Sequence, residues 1–133
     1  GYPQHINKHI VAADTIVVLE GNILGKPANK AEAINSLTAL SGKTHRVITG
    51  VVLIYNGKEY TFSETTLVTF NLLTLDQIEY YVENYKPYDK AGGYAIQEWI
   101  GVVGIQSIQG DFYNVMGLPV SKLLQKIKQL EVN

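Results

Sequence analysis

Two long β-prone segments separated by Asn-Gly constrain the fold of this chain more than any other feature. Residues 44–55 are rich in β-branched side chains, and a second such run covers residues 59–70. Asn56 and Gly57 lie between them, and this dipeptide suits a tight hairpin because both central residues need positive φ. The sequence therefore predicts a long β-hairpin.

An apolar stretch with a polar interruption precedes the hairpin. Residues 10–19 are rich in Val, Ile and Ala, which is the composition of a buried strand. Asp14 and Thr15 interrupt this stretch, and a polar pair inside a buried strand needs a physical reason. Residues 102–108 are also β-prone, so we expect a further strand there.

Capping signals and apolar periodicity predict helices before and after the hairpin. Asn29 with Glu32 fits a capping box, and Thr74 with Gln77 repeats it. Apolar side chains then recur at helical spacing. The predicted helices cover residues 30–41, residues 75–84 and an amphipathic segment from Val120 onward. With 133 residues, we expect a single domain over residues 1–133 with one core.

Composition excludes several classes of function. Eleven Lys and Arg against twelve Asp and Glu give a formal charge of −1, so no broad basic surface is available for a nucleic-acid backbone. The chain contains no cysteine, which removes disulfides, thiolate zinc sites and cysteine nucleophiles. Its apolar runs are too short to span a bilayer, and it opens on no secretory leader. We therefore expect a cytoplasmic protein with no nucleic-acid or membrane partner.

Asp14 is the first candidate for chemistry. An aspartate next to a strand often caps a turn or a helix. Here apolar residues lie on both sides, so an ionised carboxylate in a buried strand needs a metal, a cation or hydrogen bonds to replace water. A carboxylate oxygen suits Mg²⁺, or a base acting on a coordinated water. Asp14 alone therefore leaves two interpretations open: a structural cap of a turn or helix, or a carboxylate with a chemical role.

Lys26 lies in a loop signalled by the glycine before it and the proline after it. Gly25 lets a phosphate approach the backbone closely, and an ammonium is a compact phosphate-binding charge. An exposed loop lysine without a ligand is the alternative. If the fold brings Lys26 and Asp14 to one cleft, the pair can act on a phosphate with its metal ion.

The segment from Asp89 to Gln97 is the second candidate. Asp89 and Lys90 precede Gly92 and Gly93, so a carboxylate could reach a metal while the ammonium reaches a phosphate. Gln97 offers both a donor and an acceptor to a nucleobase edge. The alternative is an ordinary glycine loop whose surface ion pair contributes little to stability.

Several short motifs occur in a characteristic order along the chain. They are Ala12-Ala13-Asp14-Thr15, Leu24-Gly25-Lys26-Pro27, Ala31-Glu32-Ala33, Leu40-Ser41-Gly42-Lys43-Thr44-His45 with Thr49-Gly50, Glu64-Thr65-Thr66, Asp89-Lys90-Ala91-Gly92, Ile96-Gln97, and Gly110-Asp111-Phe112-Tyr113-Asn114-Val115-Met116-Gly117-Leu118-Pro119. Their order resembles the Maf family of nucleoside triphosphate pyrophosphatases from about residue 11 to the C-terminus. The resemblance implies an α/β fold: an elongated mixed β-sheet flanked by helices, with two lobes around a cleft, related to the inosine triphosphate pyrophosphatases.

The resemblance also implies an activity. Family members cleave a nucleoside triphosphate to the monophosphate and pyrophosphate with a divalent cation, Mg²⁺ or Mn²⁺. By this resemblance Asp14 matches the proposed general base and Lys26 a phosphate-binding lysine. Asp14 and Asp89 are then the expected metal ligands, and a homodimer is the implied assembly.

Further site residues follow from the same resemblance. Thr15 and Gln97 match positions that distinguish the subgroup acting on dTTP and UTP, so the implied ligand is a pyrimidine nucleoside triphosphate. Glu64, Asp89 and Lys90 match motifs that line or support the cleft.

One motif of the family does not occur here. Family members carry a Ser-Pro-Arg-Arg loop after a first strand, whereas this chain has no such motif before Asp14 and a single arginine, Arg46. We therefore expect a domain incomplete at its N-terminus, with residues 1–8 a remnant of the preceding region and with apolar surface exposed. The alternative function is a catalytically impaired remnant that binds nucleotides or acts as an interaction protein in cell division.

Overall fold

The computed structural model describes residues 9–132, so the expected N-terminal remnant at residues 1–8 lies outside the described part. The strands are β1 His9–Leu19, β2 Asn22–Leu24, β3 Thr44–Tyr55, β4 Lys58–Phe70 and β5 Ile105–Gln109. The α-helices are α1 Lys30–Leu40, α2 Leu75–Tyr85, α3 Trp99–Gly104, α4 Phe112–Val115 and α5 Val120–Val132, with a short 3₁₀ helix at Ala91–Gly93.

The five described strands form one sheet in the order β2-β1-β3-β4-β5, and each neighbouring pair is antiparallel. The predicted hairpin is confirmed: Tyr55 pairs with Lys58 across the turn. Asn56 and Gly57 have φ values of 50° and 82°, the left-handed conformation that a two-residue hairpin turn requires. This hairpin is the longest paired segment of the sheet and positions the remaining elements.

Helices pack on the sheet through two separate apolar clusters. The larger cluster joins β1, β3 and β4 to α1 and α2, with Leu37 and Tyr81 fully buried. The smaller cluster packs Leu123 of α5 against Val51 and Leu53 of β3. The α/β fold with helices flanking an elongated sheet is thus confirmed, whereas the sheet expected to be mixed is antiparallel throughout residues 9–132. The three predicted helices are confirmed as α1, α2 and α5, each within one or two residues of its expected bounds.

The start of the expected strand at residues 102–108 is wrong, because α3 continues to Gly104 and β5 begins at Ile105. The backbone N–H of Asn71 donates to the carbonyl of Gly104 at 2.7 Å, and its side chain donates to Val103 at 3.4 Å. These bonds hold the end of the helix against the loop after β4. The tertiary contacts therefore override the β propensity of the valines.

Strand β1 exists as predicted, but only part of it is buried. Val17, Val18 and Leu19 are buried, whereas residues 9–14 are exposed and Ile10 keeps 60% of its accessible surface. No helix in residues 9–132 is long and apolar enough to cross a membrane.

His45 is a buried ionisable group whose ring contacts Phe70 and Tyr94 of the larger apolar cluster. It is 1% exposed, its Nε2 lies 2.5 Å from the Tyr94 hydroxyl, and its ring meets Phe70 edge-on. Nδ1 has no hydrogen-bond partner among the described residues. Burial disfavours the charged ring and lowers the pKa of His45 to about 4.

Acidification should therefore destabilise the fold through His45. The unfolded chain binds this proton at about pH 6.5, and the folded state does so only near its lowered pKa. Stability contributed by the neutral ring is complete above about pH 6.5 and is lost as the pH falls toward 4, by up to about 3 kcal/mol. Urea unfolding followed by Trp99 fluorescence between pH 7.5 and 4 measures this loss.

His45→Gln removes the buried titrating ring and should flatten the pH dependence. Equal pH profiles for the parent and His45→Gln would contradict the assignment.

Candidate functional site

A cleft of about 280 Å³ opens where β1 meets two loops and the turn after α4. Its lining includes six of the predicted site residues: Asp14, Thr15, Lys26, Asp89, Lys90 and Gln97. Tyr94, Ala95, Val115, Met116 and Gly117 also line it. The structure therefore brings together predicted site residues that are as many as 83 positions apart in sequence, from Asp14 to Gln97.

Asp14 and Thr15 lie in the middle of β1. In the β1–β3 register Asp14 pairs with Gly50 and Thr15 with Thr49. Asp14 is exposed, so the expectation of a desolvated carboxylate is wrong. The reason is that no described element covers residues 9–14 of β1, and the partner Gly50 carries no side chain. Water therefore reaches the carboxylate directly, and a metal is not needed to compensate for burial.

Lys26 and Lys90 are held near each other by contacts between their loops. The backbone N–H of Gly92 donates to the carbonyl of Gly25 at 3.2 Å. Gly92 has a φ of 72°, and a Cβ atom there would lie 3.0–3.2 Å from three atoms of Val17. A side chain at this position would therefore strain the loop where it lies directly on β1.

Asp89 shares this corner of the cleft with the lysines. Lys90 Nζ lies 3.1 Å from Asp89 Oδ2. The pKa of Asp89 is lowered, first by the hydrogen bond from the Lys90 side chain, and then by a backbone hydrogen bond and the positive charges of Lys90 and Lys26. The carboxylate is thus ionised at neutral pH. As an exposed ion pair it contributes little to stability, which leaves both side chains available to a ligand.

Gln97 follows a segment anchored by Tyr81. The Tyr81 hydroxyl accepts from the Ala95 backbone N–H at 3.0 Å and donates to Glu98 Oε1 at 2.6 Å. Burial and the bond to Glu98 raise the pKa of Tyr81, so it remains a neutral donor. These bonds hold the Ala95 backbone and the Glu98 side chain on either side of Gln97, whose own side chain is exposed at the cleft.

Glu64 does not line this cleft. It borders a separate depression with Asp111, Ser121 and Lys122. Its backbone carbonyl accepts from the Asn114 side chain at 3.0 Å. Glu64 is thus connected to the cleft through Asn114 and through its strand partner Thr49, which bonds Thr15. Its functional role stays a prediction.

Asn114 is the residue that sequence reasoning missed. The glycines, aspartate and proline around it are typical turn residues, yet Asn114 is fully buried. Its Nδ2 donates to the carbonyl of Val47 at 3.2 Å and to Thr66 Oγ1 at 3.1 Å, as well as to Glu64. The signal that could have found it is an amide followed directly by the apolar residues Val115 and Met116, which line the cleft.

The oxygen donors in the cleft are few. Among residues 9–132, no group of three or more His, Asp or Glu side chains is placed to hold a metal ion. Asp14 and Asp89 line the same cleft, however. Mg²⁺ is commonly bound by one or two carboxylates together with substrate phosphates and water. The donor set therefore fits a divalent cation shared with a phosphate ligand and not one enclosed by protein.

Fold and cleft together define an α/β domain with a small-ligand site of mixed charge. The family comparison agrees: the model of the family described as Maf-like protein matches residues 2–130. The chain belongs to this family.

Curated relatives show close similarity over most of the chain. A dTTP/UTP pyrophosphatase of Porphyromonas gingivalis is 51% identical over 119 residues, covering 90% of this chain and 60% of that protein. One from Cytophaga hutchinsonii is 54% identical over 121 residues, covering 91% and 56%. One from Phocaeicola vulgatus is 52% identical over 126 residues, covering 95% and 65%. The chain therefore spans about 60% of the length of the curated relatives it matches.

Gly92→Ala should destabilise the protein more than Gly21→Ala. Both glycines have positive φ, 72° and 81°, so each alanine costs about 1 kcal/mol in backbone strain. Nothing lies within 4 Å of a Cβ at Gly21, whereas Val17 blocks a Cβ at Gly92. We expect a total loss of about 2–3 kcal/mol at Gly92, measured as the free energy of unfolding in urea. Equal losses in the two variants would show that the loop does not pack tightly on β1.

Proposed function

We propose that this chain forms the nucleotide cleft of a metal-dependent pyrophosphatase that hydrolyses dTTP and UTP to the monophosphate and pyrophosphate. The observation that carries the proposal is the convergence of Asp14, Lys26 and Lys90 in one cleft, with Thr15 and Gln97 beside them. Relatives that bear the name dTTP/UTP pyrophosphatase support it. The cytoplasmic location and the homodimer stay predictions.

The lysines act on the phosphates. Hydrolysis joins a water oxygen to the α-phosphorus, breaks the bond to the oxygen that bridges the α- and β-phosphates, and releases pyrophosphate. Negative charge grows on that leaving group, and ammonium groups held in place stabilise it. Lys26 and Lys90 are assigned this role because the contact between Gly25 and Gly92 holds their loops together.

Asp14 acts on the attacking water. Its carboxylate accepts a hydrogen bond from the water, orients the water oxygen toward the α-phosphorus and takes up the proton, which then passes to bulk solvent. Its position in the middle of β1 supports this task, because strand pairing on β3 fixes the backbone on which it stands.

Asp14 and Asp89 would hold a divalent cation, Mg²⁺ or Mn²⁺, jointly with the triphosphate. When bound, such a cation neutralises phosphate charge and makes the phosphorus more electrophilic. Asp89 is suited to this because Lys90 keeps it ionised.

Thr15 and Gln97 would contact the base. The hydroxyl and the amide offer a small set of hydrogen-bonding groups beside the apolar side chains of Val115 and Met116. A nucleobase fits such a lining, since its faces are apolar and its edge carries donors and acceptors. A pyrimidine is the ligand proposed.

A nucleotide panel tests the proposed function. The purified chain is incubated with dTTP, UTP, CTP and GTP plus Mg²⁺ or Mn²⁺, and both pyrophosphate and monophosphate are measured. We expect release from dTTP and UTP that stops when the divalent cation is chelated. Saturable binding without turnover would instead favour a nucleotide-binding remnant, and an absence of both would favour an interaction protein.

Asp14→Asn should lower pyrophosphate release about 100-fold, because the amide cannot accept a proton from the water. Since Asp14 is exposed, the variant should unfold at the same urea concentration as the parent. Asp76→Asn, an exposed aspartate in the first turn of α2, is the matched control and should keep the parent rate. Parent activity in Asp14→Asn would remove this residue from the mechanism.

A further inference from the structure

The Thr15 hydroxyl lies at the cleft end of a series of hydrogen-bonded polar groups, and the other members of the series are buried. Its Oγ1 lies 2.9 Å from Thr49 Oγ1. Thr49 Oγ1 in turn donates to the backbone carbonyl of Asn114 at 3.2 Å. Thr49 and Asn114 are both 0% exposed, so water does not compete for these bonds. Only Thr15 lines the cleft.

The number of hydroxyl protons fixes the direction of the hydrogen bonds that connect Thr15, Thr49 and Asn114. A hydroxyl has one proton to donate, and a carbonyl can only accept. The Thr49 proton is therefore engaged by Asn114, and Thr49 can meet Thr15 only as an acceptor. The proton of Thr15 consequently points into the protein. What Thr15 presents to the cleft is its lone pairs.

Asn114, at the other end of this hydrogen-bond series, is fixed in the same way. Its carbonyl also accepts from the Gly117 N–H at 3.1 Å, which holds it in the turn after α4. Thr66 Oγ1 donates to the carbonyl of Asp111 at 2.9 Å, so it accepts from the Asn114 amide and sets the orientation of that amide. The network around Asn114 therefore keeps the carbonyl in front of Thr49.

We propose that Thr49 is a positioning residue that makes Thr15 a hydrogen-bond acceptor only, and that this polarity favours uracil and thymine over cytosine. Uracil and thymine carry a hydrogen on ring nitrogen N3, whereas N3 of cytosine is a bare acceptor. A hydrogen-bond acceptor in the protein therefore binds the N3–H of uracil or thymine and is repelled by the N3 lone pair of cytosine. Gln97 suits either base because its amide both donates and accepts. The inference rests on the proposed function and assigns the atom that selects its substrate.

Thr49→Val tests the proposal, since valine keeps the shape of threonine and removes the hydroxyl. Thr15 is then free to turn its proton into the cleft and to donate to cytosine. Isothermal titration with the α,β-imido analogues of UTP and CTP, in Mg²⁺, gives the ratio of the two affinities without hydrolysis. We expect the parent to prefer the uridine analogue and Thr49→Val to lower that preference about tenfold, the effect of one hydrogen bond.

The controls separate polarity from general damage. Thr49→Ser keeps the hydroxyl and should keep the parent ratio. Thr15→Val removes the acceptor and should lose the preference, after which adding Thr49→Val should change the ratio no further. A general structural defect would weaken the binding of both analogues equally and leave the ratio of their affinities unchanged. If Thr49→Val does not fold, Thr49→Ala removes the same hydroxyl and provides the same measurement.

The outcomes distinguish this inference from the function on which it rests. A parent that binds neither analogue would overturn both. A parent that binds both analogues equally would overturn the inference alone, and so would a preference that Thr49→Val leaves unchanged.

Discussion

The buried side chain of Asn114 is the interaction on which the site depends. The side-chain Nδ2 of Asn114 donates to β3 and β4, and its backbone carbonyl accepts from Thr49 and Gly117. Helix α4 has only four residues, which is too short to be stable by itself. A buried amide left without partners is costly, so this turn has one favourable position on the sheet. That position sets the wall formed by Val115 and Met116.

The polar middle of β3 explains where the cleft lies. The inward residues Val47 and Val51 belong to the larger and the smaller apolar cluster respectively, and Thr49 lies between them. A valine at this position would have continued the apolar stripe. The threonine instead pairs with Thr15 and divides the core into two parts. The position of the cleft and the division between the two apolar clusters thus have a common cause.

Local signals predicted the hairpin and three helices, because Asn-Gly, capping boxes and apolar periodicity act within a few residues. The residues gathered in the cleft were also predicted, mainly through the family motifs. Helix α3 was missed because Asn71, about 30 positions away, holds its end. The exposure of Asp14 was missed because strand composition does not reveal what covers a strand. Asn114 resembles a turn residue in sequence, and only the fold shows it buried.

The charges of the cleft constrain how a triphosphate is bound. Lys26 and Lys90 are balanced by Asp14 and Asp89, so these four groups give no net attraction to a polyanion. Two carboxylates would repel a bare triphosphate, yet they attract a triphosphate that carries a divalent cation. No described cluster of three or more ligands is placed to hold a metal by itself, so under the proposed function Asp14 and Asp89 would hold the cation jointly with the nucleotide. Under the proposed function, the carboxylates would favour the metal complex over the free nucleotide, and Thr49 and Asn114 would orient the hydroxyl proposed to contact the base.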